Sequence, residues 1–355
     1  MSATQVAQLP TPSTPPDAVV ASSAPRAPKR PSIFSGRPLD RTERIVVAVL
    51  VGIASCVVTW AFTHGNPGTL GKDFTYPWRA ARALLAGQNP YDVILPDGGY
   101  PTEGYFPYPL PAAFPAIPFA WLPVRMAAGV FFGCTAALFT YAIVRDGLWR
   151  LWTCASMAYW LSMGVVNWSP LLVAGALMPA LGWTLALKPT LGLALFAYRP
   201  SKAAFFGGLA VVALSLVVLP RWPIDWLFLT GYVTAHHAPV TRAFGWIPLL
   251  ALLRWRRPEA RLVAALSLVP QNIYFYDQLA LWLIPWNALT TLVMSAASWI
   301  AALMTVQKCS ATYCGPDAEP WVMLLIYVPA TLLALLRPEH PRRRGEPAPA
   351  AEGAA

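Results

Sequence analysis

Residues 45–63 read IVVAVLVGIASCVVTWAFT, nineteen consecutive positions without a charge or a proline. As a helix rising 1.5 Å per residue, such a run covers about 28 Å, close to the ~30 Å hydrocarbon thickness of a bilayer. It shows no alternation of apolar and polar residues, so a barrel strand is excluded. In lipid every backbone amide must be paired internally, which leaves a membrane-spanning helix. Arg41 and Arg44 place its start in the cytoplasm by the positive-inside rule.

Working outward, similar runs occur at Met126 to Val144, Leu171 to Leu187, Ala203 to Leu219, Leu289 to Val306 and Val322 to Leu336. Shorter, proline-broken or over-long apolar stretches lie at Leu110 to Leu122, Trp152 to Val166, Trp246 to Leu253 and Leu262 to Leu283. Together they predict an all-α, polytopic transmembrane helix bundle of about eight to eleven spans. The composition agrees: 56% hydrophobic and 12% charged residues, against roughly 25% charged in a soluble domain.

The net charge of +10 does not mark a nucleic-acid binder. The basic residues sit at span ends, at Arg41 and Arg44, Arg254 to Arg257 and Arg342 to Arg344, and positive-inside orientation accounts for them. Cys56, Cys134 and Cys154 fall inside apolar segments as packing residues, and Cys309 and Cys314 bracket a short polar loop that an oxidising compartment would let them bridge.

Residues 1–40, rich in Pro, Ala, Ser and Thr, read as a disordered cytoplasmic tail, and 338–355 as a disordered basic one. The domain between, 41–337, starts with an uncleaved helix rather than a signal peptide. Its first span delivers the segment from His64 to about Tyr108 to the outer face, the longest polar stretch between spans. Within it, Trp78 to Ala86 carries an apolar stripe of Trp78, Ala81 and Leu85, with Arg79 and Arg82 beside it and Gly87 as a stop. This pattern predicts an interfacial amphipathic helix with Pro77 at its first position and Tyr76 as its cap. Pro107, Pro109, Pro111, Pro115, Pro118 and Pro123 follow, and predict a bent second span. The arginine clusters at 254–257 and 342–344 both favour the cytoplasmic side, yet the spans between them make an odd count, so one segment is re-entrant or split.

The loop from Lys72-Asp73-Phe74 through Gly87-Gln88-Asn89-Pro90-Tyr91-Asp92 resembles that of glycosyltransferase family 87, once catalogued as domain of unknown function 2029. The family's pattern is an acidic residue, an aromatic, a small-residue amphipathic helix and a Gly-x-x-Pro-Tyr-Asp turn. Tyr105-Phe106-Pro107-Tyr108-Pro109-Leu110, ending at Trp121-Leu122-Pro123, is similar to its proline-rich second span, and Leu187-Lys188-Pro189-Thr190 to a Lys-Pro pair closing a middle span. The resemblance covers roughly Ile45 to Leu219. It implies a GT-C-type membrane glycosyltransferase that moves a hexose, mannose among the options, from a polyprenyl-phosphate donor to a lipid-linked or cell-envelope acceptor at the outer face of a bacterial plasma membrane. The acidic residue that is the family's catalytic base matches Asp73. No cofactor is implied beyond the polyprenyl-phosphate sugar co-substrate.

The chemistry is consistent with that residue set. An inverting transfer needs one carboxylate to take the acceptor hydroxyl's proton, and the phosphate leaving group needs cations rather than a general acid. Lys72, Arg79 and Arg82 are near in sequence, and Lys188, His236, His237 and Arg242 come later. Asp277, in the polar interruption Gln271, Asn272, Tyr274, Tyr276 and Asp277, belongs in or beside the cavity if it lies at membrane depth, or in a short outer loop if it does not. Arg79 and Arg82 could equally snorkel to head groups, and His236 and His237 could be plain loop histidines. Asp92 reads as an Asx-type turn residue, and Trp78 and Trp168 as platforms for a sugar face. Adjacent histidines without a ligand at the right spacing predict no bound metal. The competing classes are a transporter or flippase, expected to show repeats and broken midplane helices, and a non-catalytic assembly protein with no use for Asp73.

Overall fold

The computed structural model describes residues 37–65, 72–96, 104–233, 236–308 and 315–338. Nearly all of both expected tails, Cys309, Cys314 and the Lys72 side chain lie outside the described residues.

Among the described residues every regular element is helical, and the one β-bridge joins His237 to Gln271. α1 (Arg41–Gly65) buries Ser55, Thr59 and Thr63 while exposing Val46, Leu50, Ile53 and Val57. α11 (Ala288–Lys308) does the same, with Ser295, Ser298 and Thr305 inside and Val293, Leu303 and Val306 outside. A water-soluble helix turns its apolar stripe inward; these turn it outward, as lipid requires. The chain is a helical membrane protein.

α4 (Val124–Ile143) returns against α1, and small residues let the two backbones nearly touch. A Cβ on Gly133 would come 2.7 Å from the Cys56 Cβ and 2.9 Å from the Gly52 carbonyl oxygen. The antiparallel sense is fixed by Arg44, whose Nε and Nη2 donate to the Tyr141 carbonyl at 3.1 and 2.8 Å. Cys134, expected to pack inside, lies exposed on the outward face of α4.

Among the described residues, four helices are long and apolar enough to cross a bilayer, six if each of two bent pairs counts as one span. The remaining apolar stretches do not reach the expected eight to eleven, and proline is the reason. Leu110–Phe119, read as a bent span, is a ten-residue 3-10 helix with Pro115 and Pro118 inside it. At ~2.0 Å per residue it covers only about 20 Å, and its prolines withhold the N–H groups an α-helix would use. Pro179–Leu187 and Ile247–Arg254 are likewise 3-10 helices opening on a proline.

Two segments enter the bundle and turn back. In the first, the 3-10 helix Pro179–Leu187 reverses at Lys188 into α7 (Pro189–Tyr198), so tightly that a Cβ on Gly192 would overlap the Leu185 carbonyl. In the second, α10 (Pro258–Leu268) turns through residues 269–275 into the 3-10 helix Tyr276–Leu283. Helices of ten and eleven residues reach about 15 to 17 Å, half a hydrocarbon layer. Both hairpins open on the same arginine-rich end: Arg261 Nε donates to the Ala197 carbonyl at 2.8 Å, Arg257 Nη1 to the Arg337 carbonyl at 2.5 Å, and Arg337 pairs with Glu259 at 2.6 Å. The second hairpin resolves the odd span count, because it enters and leaves on one side.

The last span runs α12 (Gly315–Val322), a π turn at Met323–Tyr327 and α13 (Val328–Leu336). Pro329 has no N–H for the carbonyl four residues back, and the turn widens where that bond is missing.

Candidate functional site

α2 (Lys72–Leu85) starts five residues before the expected first position, and Pro77 lies inside it. Tyr76 is therefore not a cap, and Asp73 sits in the first turn, where a carboxylate suits the helix dipole. Nor is its apolar side left open to lipid. Phe74, Ala80 and Ala81 have no exposed area and Trp78 has 3%, whereas Leu85 of the expected apolar stripe is 48% exposed. The C-terminus is as expected: Gly87 takes φ +71°, and the Gln88 N–H returns to the Ala83 carbonyl at 2.9 Å.

Opposite Asp73 the chain breaks again. α5 (Met157–Val165) and α6 (Ser169–Leu177) meet at a 116° bend, with Val166 in the left-handed region at φ 54°. The bend carries Asn167, whose Nδ2 donates to Asp73 Oδ2. Its Oδ1 accepts from the Ser169 N–H at 2.8 Å and the Ser169 hydroxyl at 2.6 Å, which fixes the orientation of the amide. Asn167 thus holds the Asp73 carboxylate from a fully buried position, a role with no signal in sequence.

The two hairpin tips meet each other. Lys188 Nζ donates to Asp277 Oδ1 at 2.6 Å, and Asp277 Oδ2 accepts from the Asn272 N–H at 3.1 Å. Asp277 has no exposed side-chain area and the Lys188 side chain only 11%. An ion pair this buried persists only when both partners are present and hydrogen-bonded. The polar interruption is therefore an interior turn and not an exposed loop. Gln271 and Gln278 extend it, the Gln278 Nε2 donating to Gln271 Oε1 at 2.8 Å and the Tyr327 hydroxyl to the same oxygen at 3.1 Å.

Tyr108 joins the two carboxylates. Its hydroxyl pKa lies well above the usual tyrosine value, first through burial and then through the negative charges of Asp73 and Asp277. Its carbonyl accepts from the Tyr91 hydroxyl at 2.9 Å, so the Pro-Tyr-Asp turn serves to strap the Tyr108 segment down. The Asx role belongs to Asn89, whose side chain accepts from the Tyr91 N–H, and not to Asp92.

His236 lies near Lys188 and Asp277; partial burial and the Lys188 charge lower its pKa from 6.5. His237 turns elsewhere, with Nδ1 3.7 Å from Glu319, which Arg242 also pairs at 2.9 Å. Arg79 and Arg82 line a groove of about 360 Å³ along α2, with Arg79 buried and the Arg82 guanidinium 4.9 Å over the Trp78 ring. Trp168 has no exposed area and packs edge-on to Tyr108 at 6.2 Å, so neither it nor Trp78 presents a face to a sugar.

Of the residues expected to act, the structure groups Lys188, His236 and Asp277, brings Asp73 and Asp277 both near Tyr108, keeps Arg79 and Arg82 on the helix that carries Asp73, and separates His237. No cluster of three or more metal-ligating side chains occurs among the described residues. No family model, curated protein or solved structure matches the chain.

Proposed function

We propose that the chain is a membrane glycosyltransferase moving a hexose from a polyprenyl-phosphate donor to a lipid-linked or cell-envelope acceptor at the outer face of a bacterial plasma membrane. One observation carries this reading. Asp73, positioned by Asn167, and Asp277, in a buried lysine–carboxylate pair contributed by two other parts of the chain, both act on the buried Tyr108 hydroxyl. Two of these residues, Asp73 and Lys188, belong to motifs that resemble the family.

In this reaction the acceptor hydroxyl gives its proton to Asp73 as its oxygen bonds to the anomeric carbon. The bond from that carbon to the phosphate oxygen breaks, and its electron pair leaves with the polyprenyl phosphate. Lys188 supplies positive charge to the departing phosphate, and the Arg79–Arg82 groove offers it two guanidiniums. Asp277 aims Lys188 through their 2.6 Å hydrogen bond. The arginine-rich end of the bundle faces the cytoplasm on this reading, which sets Asp73 towards the outside.

A second reading has an observation of its own. A buried ion pair at the tips of two half-depth hairpins is an arrangement that transporters use for substrate and coupling ions. The two readings separate in proteoliposomes containing radiolabelled polyprenyl-phosphate hexose and total membrane lipid. A glycosyltransferase moves label to a new lipid. A flippase moves the donor between leaflets and leaves it chemically unchanged.

A further inference from the structure

The end of the bundle opposite Asp73 holds a cavity of about 150 Å³ that the proposed reaction does not use. It lies where α1 begins, α4 ends and the first hairpin opens. Four guanidiniums line it, those of Arg44, Arg145, Arg150 and Arg199, against the single carboxylate of Asp146. Four cations against one carboxylate leave the lining with a net charge of +3.

Three of these arginines are held in place with donors to spare. Arg44 spends two N–H groups on the Tyr141 carbonyl. Arg150, only 7% exposed, gives one to the Trp282 carbonyl at 3.0 Å and one to Asp146 at 3.2 Å. Arg199 reaches the Leu177 carbonyl at 3.4 Å. Each guanidinium has five N–H donors in a fixed fork, so most remain available to the cavity. Neighbouring Arg337 is already paired with Glu259, and that carboxylate is not available to neutralise the four.

Positive-inside placement accounts for arginines at a span end but does not require four of them around one enclosed space. Arg254 and Arg256 at the same end are exposed and line none of the cavities described here. The volume is ample for several waters or for a phosphate group. Planar forks around a small enclosed volume match tetrahedral oxygens, and basic pockets between spans at such a level are suited to anionic head groups.

We propose that this cavity is a phosphate-binding site, filled by a phosphomonoester, either the head group of an anionic lipid or a free phosphate compound. The inference is independent of the reaction assigned to Asp73.

The test uses the full chain in detergent with two probes, inorganic phosphate and a short-chain phosphatidic acid, and short-chain phosphatidylcholine as control. Affinity is read from thermal shift and native mass spectrometry. Arg145→Gln and Arg199→Gln, both exposed and outside the core, are compared with Arg221→Gln, an exposed arginine distant from the cavity. The expected result is saturable binding of phosphatidic acid, weakened about tenfold by each cavity variant and unchanged by Arg221→Gln. Inorganic phosphate competing at the same site identifies a free phosphate as sufficient; its failure to compete assigns the site to a lipid head group. Binding to neither probe, equal binding by the cavity variants, or an equal loss with Arg221→Gln overturns the proposal.

Discussion

Replacing Lys188 with methionine removes the cation from Asp277 with little change in side-chain volume. Asp277 then keeps one backbone donor, from Asn272, in a site with no exposed side-chain area. Breaking a buried pair by removing one partner costs about 3–5 kcal/mol, because the remaining charge has lost its compensation. With an unfolding entropy of about 2.1 cal/mol/K per residue over roughly 300 ordered residues, that corresponds to a Tm lower by about 5–8 °C. Lys188→Met/Asp277→Leu removes both charges, and such double replacements are often close to neutral. The double variant is therefore expected to recover most of the loss. The assay is thermal unfolding of the purified protein in one detergent, followed by intrinsic tryptophan fluorescence, for wild type, both singles and the double. Additive losses, with the double variant less stable than either single, would refute the claim that the two side chains form a buried pair.

Three further outcomes follow from the same geometry. Asn167→Ala frees the Asp73 carboxylate from its orienting amide, and single-turnover transfer is expected to fall about a hundredfold with KM little changed; an unchanged rate would remove Asn167 from the site. Gly192→Val drives a side chain into the Leu185 carbonyl, and overpacking there should cost about 1–3 kcal/mol or more; a wild-type melting curve would contradict the tight hairpin. The lowered pKa of His236 means that the unfolded chain takes its proton more readily than the folded one. Its effect is absent above pH 6.5 and destabilises the fold as pH drops below that value. His236→Gln should therefore lose less Tm between pH 7 and pH 5 than wild type, and parallel losses would argue against it.

Much of the fold was legible because lipid imposes a simple rule. An uninterrupted run such as residues 45–63 has one low-cost conformation in a bilayer, and it forms α1. Where prolines interrupt a run, hydropathy still reports burial but not backbone form, so the 3-10 helix at Leu110–Phe119 read as a span. The start of α2 was misplaced because Pro77 favours a first-turn position; here packing of Phe74 and Trp78 carries the helix back past it. Asp277 stood out as an ionisable group in an apolar stretch, and Lys188 was marked by the Lys-Pro pair of the resemblance. Their pairing across 89 residues was not legible, since no local pattern encodes which hairpin tips meet. Asn167 carried no signal because a buried amide is ordinary in such sequences, and Tyr108 was read only as part of the proline-rich motif, with no role of its own.

The measurement that bears most directly on the account compares wild type with Asp73→Asn, both purified folded, in transfer of label from radiolabelled polyprenyl-phosphate hexose to membrane lipid. The substitution keeps size and removes only the proton-accepting charge. The account predicts a labelled lipid product from wild type and a loss of at least about a hundredfold in the variant, on the scale of general-base catalysis. Product formed equally by both would contradict Asp73 as the base, and none from either with any donor would contradict the glycosyltransferase itself.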